Sequence, residues 1–349
     1  MKAVVVHKNG VIKYEELDLP LMTKNTVKVK IKACGVCRSD IPRILNNSAH
    51  FYPIVLGHEF SGIIVDKGEE VKNVDIGDHV AGIPLMPCYE CENCKNGDFA
   101  LCKNYKFIGS SVQGAFADYI VLPQNNVFKI DVNIPFEQGT LFEPSTVALH
   151  AIFKSNFSKG KRVAILGGGT IGLFVLQWAK ALGASEAVVV GRDKSHLQIA
   201  SKLGADKVIS TLDYNNIFDD ETLIEVGKYD FIYEASGAEE MIRWSFLIAN
   251  AKATICMIGT PTNGIMFPGK QWEIINRKEL NVVGSWMSYS SPFPGMEWKM
   301  TNEFFMNKKL KYIPEMFYKA FSMKDADKAF NLFNSGEKIK GRVLLKNDM

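Results

Sequence analysis

The sequence has few cysteines, little net charge and no long apolar run, and each shortage excludes a class of protein. Seven cysteines in 349 residues do not supply the disulfide framework of a small secreted domain. A formal net charge of +3 is too small, at this length, to indicate binding to nucleic acid or to an anionic membrane surface. No apolar run reaches the roughly 20 residues of a membrane-spanning helix. Internal repeats and low-complexity tracts are also missing.

Length and composition favour a globular protein of two domains. A chain of 349 residues exceeds what a single hydrophobic core usually supports. Hydrophobic residues make up 47% and charged residues 23% of the chain, as is typical of globular proteins. The few cysteines and the lack of a recognisable targeting segment favour reduced thiols and a cytoplasmic location.

The pattern of the chain changes near residue 150. Before it, short alternating strands between turns predict a barrel-like β domain, with strands at 27–32, 60–65, 79–83 and 116–122. After it, strands alternate with helices, which predicts a doubly wound parallel α/β sheet. Its predicted strands are 162–166, 188–190, 208–210, 231–234, 254–258 and 281–286, and its helices are 171–182, 194–203 and 239–249. A final strand at 340–345 is expected to rejoin the β-rich domain. The predicted domains are therefore a β-rich one over 1–150 and 287–349 and a dinucleotide-binding one over 151–286.

Four cysteines fall within fifteen residues, in the spacing C-x2-C-x2-C-x7-C: Cys88, Cys91, Cys94 and Cys102. Four thiolates can surround a zinc ion tetrahedrally at roughly 2.3 Å and close every coordination position. The alternative is a chance cluster of free or disulfide-bonded cysteines. The loop-forming residues between these cysteines favour the metal, because a lobe with little apolar content needs an ion to fold around. The spacing predicts a structural zinc site.

A glycine-rich turn follows the predicted strand 162–166 and opens a helix. It reads G-x-G-x-x-G, with Gly167 for the tight turn, Gly169 for close approach of a pyrophosphate, and Gly172 for helix packing. Thr170 and Ile171 place the helix N-terminus against the anion. In this strand-turn-helix context the motif predicts dinucleotide binding rather than a purely structural turn.

The end of the next strand bears on the choice of dinucleotide. An NAD site normally places an acid there for the ribose hydroxyls, but this chain has Gly191, followed by Arg192. Arg192 and Lys194 could pair with a 2′-phosphate, which favours NADP(H) over NAD(H). The alternative is that Arg192 is a solvated loop charge and that Asp193 reaches the ribose.

A second set of possible metal ligands lies in the β-rich region. Cys37, His58, Glu59 and Glu143 supply sulfur, nitrogen and oxygen donors in the number that a catalytic zinc needs, with a position left open. Singly, each is a weak signal, since a buried Cys or His more often belongs to a core. Zinc beside a nicotinamide is suited to alcohol oxidation, because the ion lowers the pKa of a hydroxyl and, in reverse, polarises a carbonyl.

The run Gly57-His58-Glu59-x2-Gly62-x5-Gly68-x2-Val71, the four-cysteine lobe and the glycine-rich turn resemble the zinc-containing medium-chain alcohol and polyol dehydrogenases over essentially the whole chain. The resemblance implies a GroES-like β-rich catalytic domain plus a Rossmann cofactor domain. It also implies two zinc ions per chain, a homodimer or homotetramer, and catalytic-zinc ligands that match Cys37, His58 and Glu59. Glu143 matches a glutamate that joins or replaces Glu59, and Ser39 matches the hydroxyl that passes the substrate proton outward.

Within the family, runs 39–44, 49–53, 107–110 and 284–292 resemble members that act on sugar-alcohol phosphates. A phosphate needs a cation, and Arg43 is the nearest candidate by sequence, with His50 and Tyr52 as possible assistants. The alternative is that Arg43 makes an ordinary surface salt bridge. Many family members carry a relay histidine where this chain has Pro42, so water or a ribose hydroxyl is expected to take its place.

Two other functions stay open on the sequence. One is the same chemistry on another polyol or a simple secondary alcohol, and the other is a cofactor-binding relative without catalysis. Four potential zinc ligands argue against the second, since an inactive site has no use for them. The predicted strand 281–286 ends the parallel sheet, and its free edge is suited to pairing with a second copy.

Overall fold

A computed structural model describes residues 1–261 and 263–347. The chain divides into two compact units. The first comprises Met1–Glu143, Tyr289–Asn307 and the segment that begins at Tyr312; the second comprises Pro144–Ser288 and Lys308–Lys311. The observed boundaries follow residues 143 and 288, where the sequence suggested 150 and 286. None of the helices in the described part of the chain has the length and apolarity to cross a membrane.

The elements run as follows. The first part of the chain has strands β1 (Lys2–Val6), β2 (Ile12–Glu16), β3 (Thr26–Gly35), β4 (Ile54–Val55), β5 (Glu59–Lys67), β6 (His79–Gly82), β7 (Leu85–Met86), β8 (Lys106–Phe107), β9 (Tyr119–Pro123) and β10 (Val127–Lys129), with helices α1 (Asp40–Leu45), α2 (Glu92–Lys95) and α3 (Phe136–Gly139). The middle part has α4 (Phe142–Lys154), β11 (Arg162–Leu166), α5 (Thr170–Ala181), β12 (Glu186–Gly191), α6 (Lys194–Lys202), β13 (Lys207–Ser210), α7 (Asp220–Val226), β14 (Tyr229–Glu234), α8 (Glu239–Leu247), β15 (Ala249–Met257), α9 (Gly269–Trp272), α10 (Ile274–Arg277) and β16 (Asn281–Gly284). The last part has α11 (Met296–Met306), β17 (Phe317–Ser322), α12 (Ala326–Asn331) and β18 (Arg342–Lys346).

The first unit is built from β-sheets. Its largest sheet has the order β10-β6-β5-β3-β18-β17, with β9 also paired to β3, and a smaller sheet has the order β2-β1-β4. The alternation of β3 buries Val27, Val29 and Ile31 in the core and turns the lysines between them outward. Because β18 pairs with β3, the end of the chain completes the β-rich domain, as predicted.

The second unit is a six-stranded parallel sheet in the order β13-β12-β11-β14-β15-β16. Its strands read as continuous apolar runs because both faces are covered; Val188, Val189 and Val190 are all fully buried. Trp178 of α5 and Trp244 of α8 are also buried. The doubly wound fold predicted for this region is confirmed.

Several predicted elements have different bounds in the structure, and for two of them the hydrogen bonds show the reason. The strand predicted at 116–122 begins only at Tyr119, because the Phe116 N–H bonds to the Leu56 carbonyl and so leaves the ladder with β3. The helix predicted at 239–249 ends at Leu247, because Ala249 already pairs with Tyr229 at the start of β15.

Candidate active site

The four-cysteine lobe brings its thiols together. The sulfur atoms of Cys88, Cys91, Cys94 and Cys102 all lie within 4.8 Å of one another. Backbone N–H groups support them: Cys91 donates to Cys88 Sγ at 3.4 Å, and Cys88 donates to Cys102 Sγ at 3.3 Å. The N–H groups of Cys94 and Lys103 lower the pKa of the Cys91 thiol to about 6, toward the thiolate that binds metal. Donor type and spacing fit a closed tetrahedral zinc site.

An aromatic cluster anchors this lobe to the rest of the first unit. Phe99 of the lobe is buried and meets the Phe293 ring edge-on at 5.3 Å. Phe293 in turn stacks on Tyr289 at 5.5 Å, and the Tyr289 hydroxyl accepts from the Leu85 N–H at 3.3 Å. The position of the lobe therefore depends on ring contacts as well as on its own ligands.

A second group of ligands lies in the interior of the same unit. Cys37 follows β3, while His58 and Glu59 stand at the start of β5, and one donor atom from each lies within 4.8 Å of the others. His58 and Glu59 are buried. Sulfur, imidazole and carboxylate form the three-ligand set of a catalytic zinc, which keeps one coordination position for water or substrate. These three predicted residues are brought together, and their chemistry fits the ion.

Asp40, at the start of α1, connects the ligands to one another. It is fully buried, and its Oδ2 accepts from the Cys37 N–H at 3.0 Å. Its Oδ1 lies 3.6 Å from His58 Nδ1 and 3.9 Å from Arg43 Nη1. A carboxylate beside one imidazole nitrogen orients the ring and would leave the other nitrogen for a metal ion. Burial lowers the pKa of His58, but Asp40 and Cys37 outweigh it and raise the pKa well above its ordinary value.

Glu59 is held from its other side by a buried arginine. The Arg342 guanidinium of β18 pairs with Glu59 Oε2. The pair crosses β3 at Gly35, which stands opposite Glu59 in the ladder. A Cβ at Gly35 would come within 2.7 Å of Glu59 Oε2 and 3.1 Å of Arg342 Nε, so only glycine leaves room for the pair. Glu59 Oε1 remains on the side of His58, 3.9 Å from Nε2.

Glu143 stays outside the three-donor group but within its electrostatic reach. Loss of hydration raises the pKa of Glu143 to about 7, although nearby His58 opposes the shift. Burial also raises the pKa of Cys37, yet His58 and Arg342 outweigh it and bring that pKa down to about 6. A metal ion binds a thiolate and a neutral imidazole. At neutral pH it can therefore displace the proton that this pair holds.

The predicted substrate residues cluster around α1. Arg43 Nη1 donates to the Ser39 carbonyl at 2.6 Å, and Nη2 donates to the Ser110 hydroxyl at 3.1 Å. Ser39 is exposed, and its side chain makes no helix-capping bond, so its hydroxyl is not committed to the start of α1. His50 is exposed.

Tyr52 has a role in the backbone of this region. Its hydroxyl donates to the Arg43 carbonyl at 2.6 Å and accepts from the Ala49 N–H at 3.2 Å. Both sides of the hydroxyl are thus committed to the chain that carries Arg43. Tyr52 therefore supports the chain around α1, and its assistance to a substrate stays a prediction.

The glycine-rich turn has the geometry that its motif predicts. Gly167 has a φ of +113° between β11 and α5. A Cβ at Gly172 would approach the Gly167 carbonyl oxygen to 1.8 Å, so the turn closes only with glycine there. A Cβ at Gly169, the residue before α5, would meet no atom within 4 Å, which leaves open space at the helix N-terminus. Thr170 and Ile171 form the first turn of α5.

Three charged residues that are consecutive in sequence after β12, Arg192 to Lys194, have different surroundings in the structure. Gly191 ends the strand, and Arg192 beside it is exposed. The Asp193 carboxylate caps α6 by accepting from the Ser195 N–H at 2.8 Å. Lys194 pairs with Asp213 at 2.7 Å.

The structure adds residues that sequence reasoning missed. Asp40, Ser110, Gly35 and Arg342 all contact the ligand group or Arg43. Asp40 stands three residues after a ligand cysteine at the start of a helix, which is a usable signal. Arg342 has none, because only the pairing of β18 with β3 brings it to Glu59.

Comparisons with known proteins agree with this arrangement. Residues 23–132 match the Alcohol dehydrogenase GroES-like domain, and residues 170–302 match the Zinc-binding dehydrogenase family. The chain is 38% identical over 315 residues to galactitol 1-phosphate 5-dehydrogenase of Escherichia coli K12, covering 90% of this chain and 91% of that protein. It is 32% identical over 331 residues to L-idonate 5-dehydrogenase of Vitis vinifera, covering 91% and 87%.

A solved structure shows the same fold. The crystal structure of galactitol-1-phosphate dehydrogenase from Escherichia coli superposes with a TM-score of 0.92 at 36% identity, over 99% of this chain and 100% of that one. The two-domain class inferred from the sequence, a GroES-like β-rich domain with a Rossmann domain, is therefore confirmed.

Proposed function

Because the chain belongs to the zinc-containing medium-chain alcohol and polyol dehydrogenases, we propose that it oxidises a secondary hydroxyl of a sugar-alcohol phosphate with a nicotinamide cofactor. The observation that carries this proposal is the buried group of Cys37, His58 and Glu59, three different donors within 4.8 Å. In the reverse direction the substrate is the corresponding ketose phosphate. The similarity to galactitol 1-phosphate 5-dehydrogenase supports a hexitol phosphate.

Two zinc ions per chain are proposed, one for each ligand group. Cys37, His58 and Glu59 would hold the catalytic ion, with Glu143 able to join or replace Glu59. The four cysteines of the lobe would hold the structural ion. When bound, the catalytic ion supplies a Lewis acid that favours loss of a hydroxyl proton and polarises a carbonyl oxygen.

The chain's own residues orient this chemistry. Asp40 holds the His58 ring, and Arg342 holds the Glu59 carboxylate, so neither ligand has to be ordered during the reaction. The substrate carbon loses a hydride to the nicotinamide, and its hydroxyl loses a proton, which balances the two-electron oxidation. The Ser39 hydroxyl would pass that proton outward, accepting it as it gives up its own to the next carrier. Pro42 cannot relay it, so the next carrier is water or a ribose hydroxyl of the cofactor.

Arg43 and Ser110 together form the proposed phosphate contact. The guanidinium is only partly exposed and lies beside Asp40, close to the ligand group. A guanidinium fork offers two parallel donors to a phosphate, and a neighbouring hydroxyl can add a third. His50 is exposed and close in sequence, and it could contribute a further donor.

NADP(H) is proposed as the preferred cofactor over NAD(H). Asp193 is occupied as the cap of α6, which argues against its use as the ribose acceptor. Arg192 is exposed at the end of β12, where a 2′-phosphate would be placed; Lys194 is near it in sequence and would exchange its exposed pair with Asp213 for the phosphate.

Replacement of Gly191 by aspartate tests this preference. A Cβ at Gly191 would meet Gly168 N and Leu197 Cδ2 only at 3.6 Å, an ordinary contact, so the variant should fold. The new carboxylate should repel a 2′-phosphate and accept from a ribose hydroxyl, shifting kcat/KM about tenfold toward NAD. Wild-type enzyme that already prefers NAD by tenfold would contradict the proposal.

A homodimer or tetramer is proposed through the free edge of the parallel sheet. In the described part of the chain β16 pairs with β15 alone; Val282 on β16 is 41% exposed, and Trp286, two residues after its end, is 52% exposed. Pairing with a second copy would cover both the edge and these side chains. Light scattering of wild type and of Val282→Glu tests this, and a monomeric wild type would contradict it.

A cytoplasmic location is proposed as well. All seven cysteines, including the four of the lobe, are free thiols, which suits a reducing compartment. Cell fractionation with antibodies against the chain tests it.

A second candidate function is the same oxidation on an unphosphorylated polyol. The similarity to L-idonate 5-dehydrogenase supports this second candidate. Initial rates with galactitol 1-phosphate, sorbitol 6-phosphate and sorbitol, each with NAD and NADP, separate the two. We expect a phosphorylated polyol to give the highest kcat/KM; equal or better turnover of sorbitol would move the assignment to the second candidate.

A further inference from the structure

A buried carboxylate with no role in the metal chemistry ends the fourth strand of the doubly wound unit. Glu234 is the last residue of β14 and is fully buried. Its Oε1 accepts from the Ser236 N–H at 2.9 Å and from the Ser236 hydroxyl at 2.5 Å. The Gly237 N–H lies 3.1 Å from both carboxylate oxygens. The side chain therefore fixes the turn after its own strand.

The backbone of Glu234 fixes a second turn. Its carbonyl oxygen accepts from the Ile258 N–H at 2.8 Å and from the Gly259 N–H at 2.9 Å. These residues follow β15, the neighbouring strand. One residue thus ties the turns after β14 and β15 to each other.

The same turn also lies against the glycine-rich turn. The Ala235 N–H donates to the Leu166 carbonyl at 2.9 Å, and a Cβ at Gly167 would come within 3.1 Å of Ser236 N. On the other side, a Cβ at Gly259 would come within 2.2 Å of Gly237 N. Three turns at the carboxyl ends of β11, β14 and β15 therefore pack backbone against backbone, with Glu234 between them.

This meeting point coincides with the reversal in strand order. β11 has β12 on one side and β14 on the other, and the chain proceeds outward in both directions from there. In open parallel sheets, ligands bind outside the carboxyl ends of the strands at such a point. The open space at Gly169 lies on one side of it, and the turn 235–238 follows the strand on the other side.

We propose that Glu234 is a positioning residue for the dinucleotide, because it holds the turn 235–238 as the wall of the cofactor crevice beside the glycine-rich turn. The inference rests on the proposed dinucleotide site at Gly167–Gly172. The residue acts through the turn, since both functional groups of Ser236 are directed at its carboxylate.

The turn requires a side chain at position 234 that only accepts hydrogen bonds. Three donors from Ser236 and Gly237 converge on the two carboxylate oxygens. Glutamine has the same shape but brings an N–H2 group, which would oppose one of these donors. A buried donor left without an acceptor weakens the local structure, so the turn should lose its fixed position while the sheet stays intact.

The test compares Glu234→Gln with Glu240→Gln, an exposed glutamate on α8. Dissociation constants for NADH and NADPH are measured by fluorescence, together with zinc content, melting temperature and KM for the polyol. We expect Glu234→Gln to raise both cofactor dissociation constants about tenfold and by the same factor, with polyol KM and zinc content within twofold of wild type. Glu234→Asp restores an acceptor at shorter reach. Its cofactor dissociation constants should lie between those of wild type and those of Glu234→Gln.

A folded Glu234→Gln variant that binds both cofactors within twofold of wild type would overturn the inference. So would a polyol KM that rises as much as the cofactor constants, because that indicates a general loss of structure. If Glu234→Gln does not fold, Ser236→Ala makes the same test, with an expected rise of about threefold. A wild-type enzyme that binds neither dinucleotide would contradict the proposed function itself, a distinguishable result.

Discussion

The two ligand groups of the β-rich unit differ in how the chain builds them. The lobe takes four identical donors from fifteen consecutive residues and supports them with backbone N–H groups. The group at Cys37 takes three different donors from two separate strand ends and supports them with charged side chains, Asp40 and Arg342. The first arrangement fits an ion enclosed on all sides, and the second fits an ion that keeps one coordination position open.

The two groups also differ in how much they depend on the rest of the fold. A local ligand set stabilises a loop and needs nothing from the rest of the fold. A dispersed set depends on sheet register, because Gly35 must stand between Glu59 and Arg342 for their pair to form. If this contrast is correct, substitutions in the two groups should have separable effects on turnover and on stability.

Replacement of Cys37 by alanine should have the largest effect. Loss of a ligand from the three-donor group removes the catalytic ion, which contributes several kcal/mol to transition-state stabilisation, so kcat/KM should fall by at least about 10³-fold. The melting temperature should change little, and zinc content should fall from two ions to one. A variant that keeps two ions or substantial activity would remove Cys37 from the ligand set.

Replacement of Cys94 by serine should give the opposite pattern. The lobe loses a thiolate, and the free energy of unfolding should fall by about 3 kcal/mol, as for other metal losses. The aromatic contacts of Phe99 hold part of the lobe in place, so the folded fraction should keep kcat within a few-fold of wild type. Thermal melts and rates normalised to folded protein measure both quantities. Loss of turnover without loss of stability would reverse the roles given to the two groups.

Replacement of Asp40 by asparagine should have an intermediate effect confined to the catalytic group. Asparagine keeps the shape but removes the charge beside His58, and loss of such outer partners costs about 10–100-fold in metal affinity or activity. Competition with a zinc chelator measures the affinity. Asp66→Asn, an exposed position at the other end of β5 from Glu59, serves as the control. Unchanged affinity in Asp40→Asn would show that His58 is oriented without it.

These expectations depend on residues that the sequence revealed unequally. The grouping of the four cysteines in the lobe was fully predictable, because their spacing alone indicates that the thiols come together. Cys37, His58 and Glu59 became readable only together with the family resemblance, since each alone is compatible with a core position. Arg342 and Gly35 could not be predicted, because their roles arise from the pairing of β3 with both β5 and β18.

The doubly wound unit followed the same rule. Its alternation of strands and helices and its glycine-rich turn were predictable, because periodicity and glycine spacing are local signals. Glu234 was not, since a glutamate at the end of an apolar strand gives no indication that its carboxylate faces inward toward a turn. The support that Tyr52 gives to the chain around Arg43 could not be predicted either, because the partners of its hydroxyl are backbone groups, which sequence does not show.

Replacement of Arg43 by alanine should have the smallest effect of this series. Loss of a charged hydrogen bond to phosphate should raise KM for a phosphorylated polyol about tenfold and leave KM for the unphosphorylated polyol nearly unchanged. Exposed Arg38, on the same turn, offers the matched control Arg38→Ala. Equal increases for both substrates would mean that Arg43 only supports α1 through Ser39 and Asp40.

Stepwise removal of zinc from the wild-type enzyme tests the contrast most directly. Native mass spectrometry counts ions per chain as a chelator is added, while activity and melting temperature are followed in parallel. The three-ligand ion should leave first, giving a one-zinc species that is folded and inactive, and loss of the second ion should then lower the melting temperature. A one-zinc species with full turnover, or a zinc-free enzyme that is active, would contradict the account.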